Sequence, residues 1–243
     1  GTDLAGTNNF TNSANATTTV SGAVTSTGTI TNAGTATING AVTAATTFEN
    51  SGTLSFNGDN TAGTVNNNDG GTLNLNNDNS GATLNNKDGG TLAIGSATGI
   101  DNASGTIDLS KTPMGDATVD ISAVNAGETA ITGGTVNSTG DTEIVVSSVL
   151  ADEAEVKLTD QDLTGVEPQL SVAENALNNL ALDVADVAAG GTTITASAKT
   201  AAETSDFLGV SQANGSKLNQ AGFATADGTS SLASGDFSAV GDA

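Results

Sequence analysis

Short triplets with apolar residues at alternate positions recur from Phe10 to Val136, separated by clusters of Gly, Asn and Asp. One triplet type is apolar-x-Asn, at Phe10/Asn12, Ile30/Asn32, Phe48/Asn50, Val65/Asn67, Leu84/Asn86 and Ile100/Asn102. The spacing between these anchors is similar but not constant. A few positions further on comes a Gly-Thr-apolar-x-apolar segment, giving Leu54/Phe56, Leu73/Leu75, Leu92/Ile94 and Ile107/Leu109, after a weaker Ala36/Ile38. Gly34-Thr35, Gly52-Thr53, Gly71-Thr72, Gly90-Thr91 and Gly105-Thr106 precede them, and fainter units begin at Val119 and Val136.

Alternation puts both apolar side chains of a triplet on one face of a strand, and the polar clusters between triplets supply turns. Each unit is then strand, turn, strand, turn. A unit of about 18 residues cannot bury its own apolar face, whereas coils stacked about 4.8 Å apart bury a continuous column. The predicted fold is all-β, a β-solenoid or parallel β-helix with coils of about 16 to about 20 residues. A sandwich or barrel of short antiparallel strands would show similar turn spacing. The in-register recurrence of particular residues, and not of hydrophobicity alone, favours the solenoid. The repeated Asn either tolerates a left-handed turn or stacks its amide into a hydrogen-bonded ladder; the predicted ladder is Asn12, Asn32, Asn50, Asn67, Asn86 and Asn102.

The segments FENSGTLSFNG, VNNNDGGTLNLNN and LNNKDGGTLAIG resemble the Asn- and Gly-Thr-rich repeats of bacterial adhesin and autotransporter passengers, over roughly residues 8 to 145. The resemblance implies a secreted surface fibre or adhesin in a bacterium, extracellular or at the cell surface, and carries over no catalytic residue.

After about residue 145 the Asn-rich repeat fades, acidic residues become denser and Ala replaces Thr. The expected division is a solenoid over 1–145 and an acidic, Ala-rich capping and assembly region over 146–243. The segments TEIVVSSVL and AEVKLTD alternate like strands that finish or cap the stack. Ser171-Val-Ala-Glu174 has the form of a capping box and predicts a helix running toward Gly190-Gly191, although Leu180, Leu182 and Val184 also alternate like a strand. Residues 192–243 are weakly apolar and are expected to pack against this solenoid or against a neighbouring subunit.

Composition narrows the chemistry. The net charge of -22 comes from 27 acidic residues against five lysines, with no arginine, so phosphate-backbone binding to nucleic acid is not expected. His, Cys, Tyr and Trp are absent, which removes the usual general base, the thiol nucleophile and the sugar-stacking rings. No stretch approaches the roughly 20 apolar residues of a membrane span, and no signal region opens the chain, so any export signal is expected to have been removed.

Three groups of residues invite a functional reading. Asp59 and Asp78 are separated by the same interval as Asp69 and Asp88, close to one coil. In a solenoid each pair stacks at matching turns, either as solvated carboxylates or as oxygens that hold calcium. The Thr column Thr35, Thr53, Thr72, Thr91 and Thr106 suggests an ice-binding face, but its partner positions read Thr37, Ser55, Asn74, Ala93 and Asp108 and are not uniform. Asp101, Asp108, Asp116 and Asp120 are the tightest carboxylate cluster available for glycoside hydrolysis, without an arginine or large polar aromatic to hold a sugar. The resulting expectation is no enzyme activity and no cofactor other than calcium. The chain is read instead as a subunit of an extracellular filament or biofilm-matrix fibre that polymerises with its own copies head to tail. The alternative is a monomeric adhesin stalk with a cell-surface or matrix ligand.

Overall fold

The computed structural model describes residues 3–111, 117–146, 154–165, 169–172, 180–187 and 191–198. In chain order the first strands are β1 (Leu4–Gly6), β2 (Phe10–Asn12), β3 (Thr17–Val20), β4 (Val24–Ser26), β5 (Thr29–Asn32), β6 (Thr35–Ile38) and β7 (Thr47–Asn50). Next come β8 (Thr53–Phe56), β9 (Thr64–Asn67), β10 (Thr72–Leu75), β11 (Thr83–Asn86), β12 (Thr91–Ile94), β13 (Ile100–Asp108) and β14 (Ala117–Asp120). The series closes with β15 (Thr129–Ser138), β16 (Thr142–Val146), β17 (Glu155–Thr159), β18 (Thr164–Gly165), β19 (Gln169–Val172), β20 (Leu180–Val187) and β21 (Gly191–Ala198).

The chain is a parallel β-solenoid. One sheet stacks β3, β6, β8, β10, β12, β14, β16 and β19, one strand per coil. A second sheet stacks β2, β5, β7, β9, β11, β13, β15 and β17. A narrow third side starts with the β1–β4 pair and continues as single bridges from Val24 to Val42 and from Val42 to Asn60. Register is kept residue for residue: Thr53↔Thr72↔Thr91, Leu54↔Leu73↔Leu92 and Phe56↔Leu75↔Ile94. Because side chains alternate along a strand, this register sends every Leu of the column inward and every Thr outward. Ile30, Phe48, Val65, Leu84, Ile107 and Val136 form the facing column, all at most 3% exposed. Phe48 and Phe56 meet across the interior edge to face, ring centroids 5.1 Å apart.

Close stacking makes some glycines obligatory. A Cβ on Gly52 would lie 2.2 Å from the carbonyl oxygen of Gly34 in the coil before it, so the turn admits no side chain there. At the Asp-Gly-Gly turns the constraint is conformational instead, with Gly70 at φ 72° and Gly89 at φ 70°.

The structure corrects the repeat alignment at one point. Leu84 pairs with Ile107, not with Ile100, and Ile107 pairs with Val136. The coil step on this side therefore lengthens twice in succession beyond the Val65-to-Leu84 step. Ile100 lies on the third side and pairs with Ile131. This third-side segment and the following second-sheet segment run together as the single long strand β13, with Ala103 in the left-handed region at φ 33°.

Parallel stacking does not stop where the composition changes near residue 145. β16 pairs with β14, β19 with β16 and β18 with β15, all parallel. The pairing then reverses: β21 lies antiparallel on β17, and β20 antiparallel on β21. The helix expected after Ser171 is corrected over its second half, where Leu180–Val187 is strand β20. The strand-like alternation wins because β21 offers an unbroken ladder, Leu180↔Ala198 to Val187↔Gly191, and local capping signals are weak beside such pairing. Glu174, the far end of the capping box, and residues 199–243 of the tail lie outside the described residues. No helix of the described residues is long and apolar enough to cross a membrane.

Candidate functional site

The regularly placed polar groups of the solenoid are its amides. Asn12, Asn32, Asn50, Asn67 and Asn86 are 0–2% exposed and lie at equivalent positions on five successive coils. From Asn12 to Asn67 each Nδ2 donates to Oδ1 of the next Asn, at 2.8, 2.7, 2.7 and 2.8 Å along the series, and Asn86 ends it on the Leu109 and Thr118 carbonyls. The second hydrogen goes to backbone, as from Asn50 to the Thr72 carbonyl (3.0 Å) and from Asn67 to that of Thr91 (2.9 Å). A buried amide is costly unless all its groups are paired. Stacking identical amides one coil apart pairs them automatically. At the first coil Thr18 takes the place of the core leucine and donates its Oγ1 to Asn12 Oδ1 (2.8 Å), closing the acceptor end of the ladder.

Asn102 does not belong to this series. It ends a separate ladder on the third side: Asn60 Nδ2 donates to Asn79 Oδ1 (3.3 Å), and Asn79 Nδ2 to Asn102 Oδ1 (2.9 Å). Sequence reasoning missed Asn60 and Asn79, both fully buried. A signal for them exists, because Asn60, Asn79 and Asn102 each stand at the same short distance before a second-sheet threonine, Thr64, Thr83 and Thr106. Both kinds of Asn bond locally to a turn carbonyl, Asn86 to Gly90 and Asn102 to Gly105, so only the pairing partners tell them apart.

Outward-facing amides run in the opposite sense. Asn57 donates back to Asn39 (2.8 Å), Asn76 to Asn57 (2.7 Å), Asn66 to Glu49 (2.7 Å) and Asn85 to Asn66 (2.9 Å). Lys87 Nζ reaches Asn68 Oδ1 (2.9 Å), and Asn68 reaches the other oxygen of Glu49 (3.1 Å).

Asp59 and Asp78 stand on consecutive coils of the third side, followed by Asp101, as the bonds from the Val42, Asn60 and Asn79 amides to their three carbonyls show. Asp69 and Asp88 stack at a different turn, linked by the Gly70-to-Gly89 backbone bond (3.1 Å), and both are exposed. The pairs are thus stacked within themselves and belong to separate turns. Among the described residues no group of three or more acidic side chains is placed to hold a metal ion.

The expected Thr column divides as well. Thr35, Thr53, Thr72 and Thr91 continue to Thr118, while Thr106 belongs to the second column, which runs Thr29, Thr47, Thr64, Thr83, Thr106 and Thr135. In the carboxylate cluster, Asp101 lies on the third side, Asp108 on the second sheet and Asp120 on the first, whereas Asp116 lies outside the described residues.

Asp108 differs from the other acids of this group. It is 2% exposed, bonded to Lys111 Nζ through Oδ2 at 3.2 Å. Burial pushes its carboxyl above the ordinary range, and the bond and charge of Lys111 only partly offset this.

No family model, no curated protein and no solved structure matches the chain.

Proposed function

We propose that the chain is a structural subunit of a secreted bacterial filament or matrix fibre that assembles head to tail with its own copies. One observation carries this reading. Among the described residues β2 and β3 each have a single neighbour, and Phe10 is only partly buried although Ile30 beside it and Phe48 one coil further are 3% and 0% exposed. An unpaired parallel edge with an open apolar column is a template for another strand. The resemblance to adhesin and autotransporter-passenger repeats supports an extracellular or cell-surface setting, and the ladders support a mechanical role over a catalytic one. The charge of -22 keeps copies apart until salt or a divalent cation screens them.

A second reading, a monomeric adhesin stalk, is favoured by the antiparallel β20–β21 pair. It covers the β17 edge, where a further parallel coil would otherwise add. Negative-stain electron microscopy of the purified chain, with and without millimolar calcium, separates the two. Filaments of even width that disappear in Phe10→Lys support the fibre. Isolated short rods under both conditions overturn it in favour of the stalk.

A further inference from the structure

The outward row of the second sheet is joined by side-chain bonds between in-register neighbours at two successive steps and then stops. Glu49 and Asn66 meet at 2.7 Å and Asn66 and Asn85 at 2.9 Å, the later residue donating its amide to the earlier one each time. The next two members are Asp108 and Asn137, in register with each other on the parallel strands β13 and β15. They stand one strand spacing apart, about 4.8 Å, as the bonded pairs do. Yet Asp108 Oδ1 and Asn137 Oδ1 are both buried without a hydrogen-bond partner. Two acceptors cannot bond each other, and leaving both unpaired is costly. The strand pairing just before them is irregular, with register shifts between Asp101 and Ala103 and between Ala103 and Thr106.

We propose that Asp108 and Asn137 form a proton-operated clasp between the β13 and β15 coils, closed when Asp108 Oδ1 carries a proton and donates it to Asn137 Oδ1, and open when Asp108 is ionised. One proton turns an acceptor into a donor and satisfies both orphaned oxygens. Asp108 alone makes this choice, because the neighbours in register, Asn85 on β11 and Asn137 on β15, do not titrate. Among the described residues Lys111 is the charged group bonded to the carboxyl, through Oδ2 at 3.2 Å. Oδ2 accepts that bond whether or not Oδ1 is protonated. The Ser110 amide donates to the carboxyl as well. Lys87, one coil back from Lys111, gives its ammonium to Asn68 instead. Asp108 is 2% exposed, and burial favours its protonated form while the Lys111 charge favours the ionised one. The balance of the two sets the pH at which the clasp opens. The clasp secures the coils just past the irregular pairing, and it does not depend on the fibre reading.

The test is the titration of the Asp108 side-chain carboxyl in the full chain, followed by nuclear magnetic resonance of the carboxyl carbon, in the parent and in Asn137→Leu. Leucine keeps the bulk of the amide, and with it the burial of Asp108, but has no acceptor. It removes a bond that only the protonated form makes, so the Asp108 titration should move to lower pH. A titration left in place would show that burial acts alone, and one moved to higher pH would show the Asn137 amide donating to the carboxylate; either result would overturn the proposal. Asp108→Asn gives an independent reading, because its amide offers a hydrogen to Asn137 Oδ1 and an oxygen to Lys111 at every pH. At pH above the Asp108 titration this variant should resist urea at least as well as the parent, and the parent should gain on it as the pH falls through that titration. A variant less stable than the parent above the titration, or a difference that does not change with pH, would also overturn the clasp.

Discussion

Replacing Asn67 by alanine tests whether the internal ladder holds the coils together or merely fills space. The Asn67 side chain is fully buried. Its Nδ2 donates to Asn86 Oδ1 at 2.8 Å, to the Thr91 carbonyl at 2.9 Å and to the Gly71 carbonyl at 3.0 Å, and its Oδ1 accepts from Asn50 at 2.7 Å. Alanine removes all four contacts. The Gly71 carbonyl keeps the Thr91 amide as a donor, and Asn50 keeps the Gly52 and Thr72 carbonyls, so the main loss is at Asn86 Oδ1. An orphaned buried acceptor costs about 1–3 kcal/mol, and the lost bonds and the small cavity bring the sum to roughly 3–5 kcal/mol. Asn57 is the control. It also sits between two amides, Asn39 and Asn76, at 2.8 and 2.7 Å, but on the exposed face, where water replaces what alanine removes and the cost is about 1 kcal/mol or less. Urea denaturation followed by far-ultraviolet circular dichroism measures both, and an unchanged slope confirms that the same surface unfolds. Equal losses in the two variants would refute the reasoning, because burial would then not be what gives the ladder its strength.

Three further outcomes are expected. Phe56→Ala, which removes a fully buried ring packed edge to face on Phe48, should cost about 3–5 kcal/mol in the same assay. Gly52→Ala should destabilise more than Gly70→Ala: the first forces a Cβ to within 2.2 Å of the Gly34 carbonyl, whereas the second meets no atom within 4 Å and carries only the roughly 1–2 kcal/mol strain of a positive φ. The comparison is read from melting temperatures. Asp108 holds its proton more tightly in the folded chain than in the unfolded one, because burial raises its pKa. The native state therefore binds more protons, and stability from this group falls as pH rises from about 3.9, the unfolded value, through the raised native value. Asp108→Asn should remove that component of the slope in urea midpoints collected across this window.

The solenoid was legible because its signals are local and repeated. Triplets such as Leu73-Asn74-Leu75 set two side chains inward whatever lies beside them, and Gly and Asp between triplets allow only a turn. Stacking is the remaining way for so short a unit to bury its apolar face, so the inward leucines, the outward threonines and an amide ladder through Asn12 to Asn86 follow from the pattern of residues alone. Register at the longer coils does not. Asn86 and Asn102 precede similar Gly-Thr turns and make the same kind of bond to a turn carbonyl; which column each enters depends on the two lengthened coils, and these are visible only when Leu84 is seen beside Ile107 and Ile107 beside Val136. The strand at Leu180–Val187 was read as helix, because the choice between helix and strand there rests on β21, a partner later in the chain. The burial of Asp108 was beyond reach for the same reason. In sequence it is one carboxylate among 27 acidic residues, and only the coil beside it, which brings Asn137 into register and leaves three oxygens without donors, sets it apart.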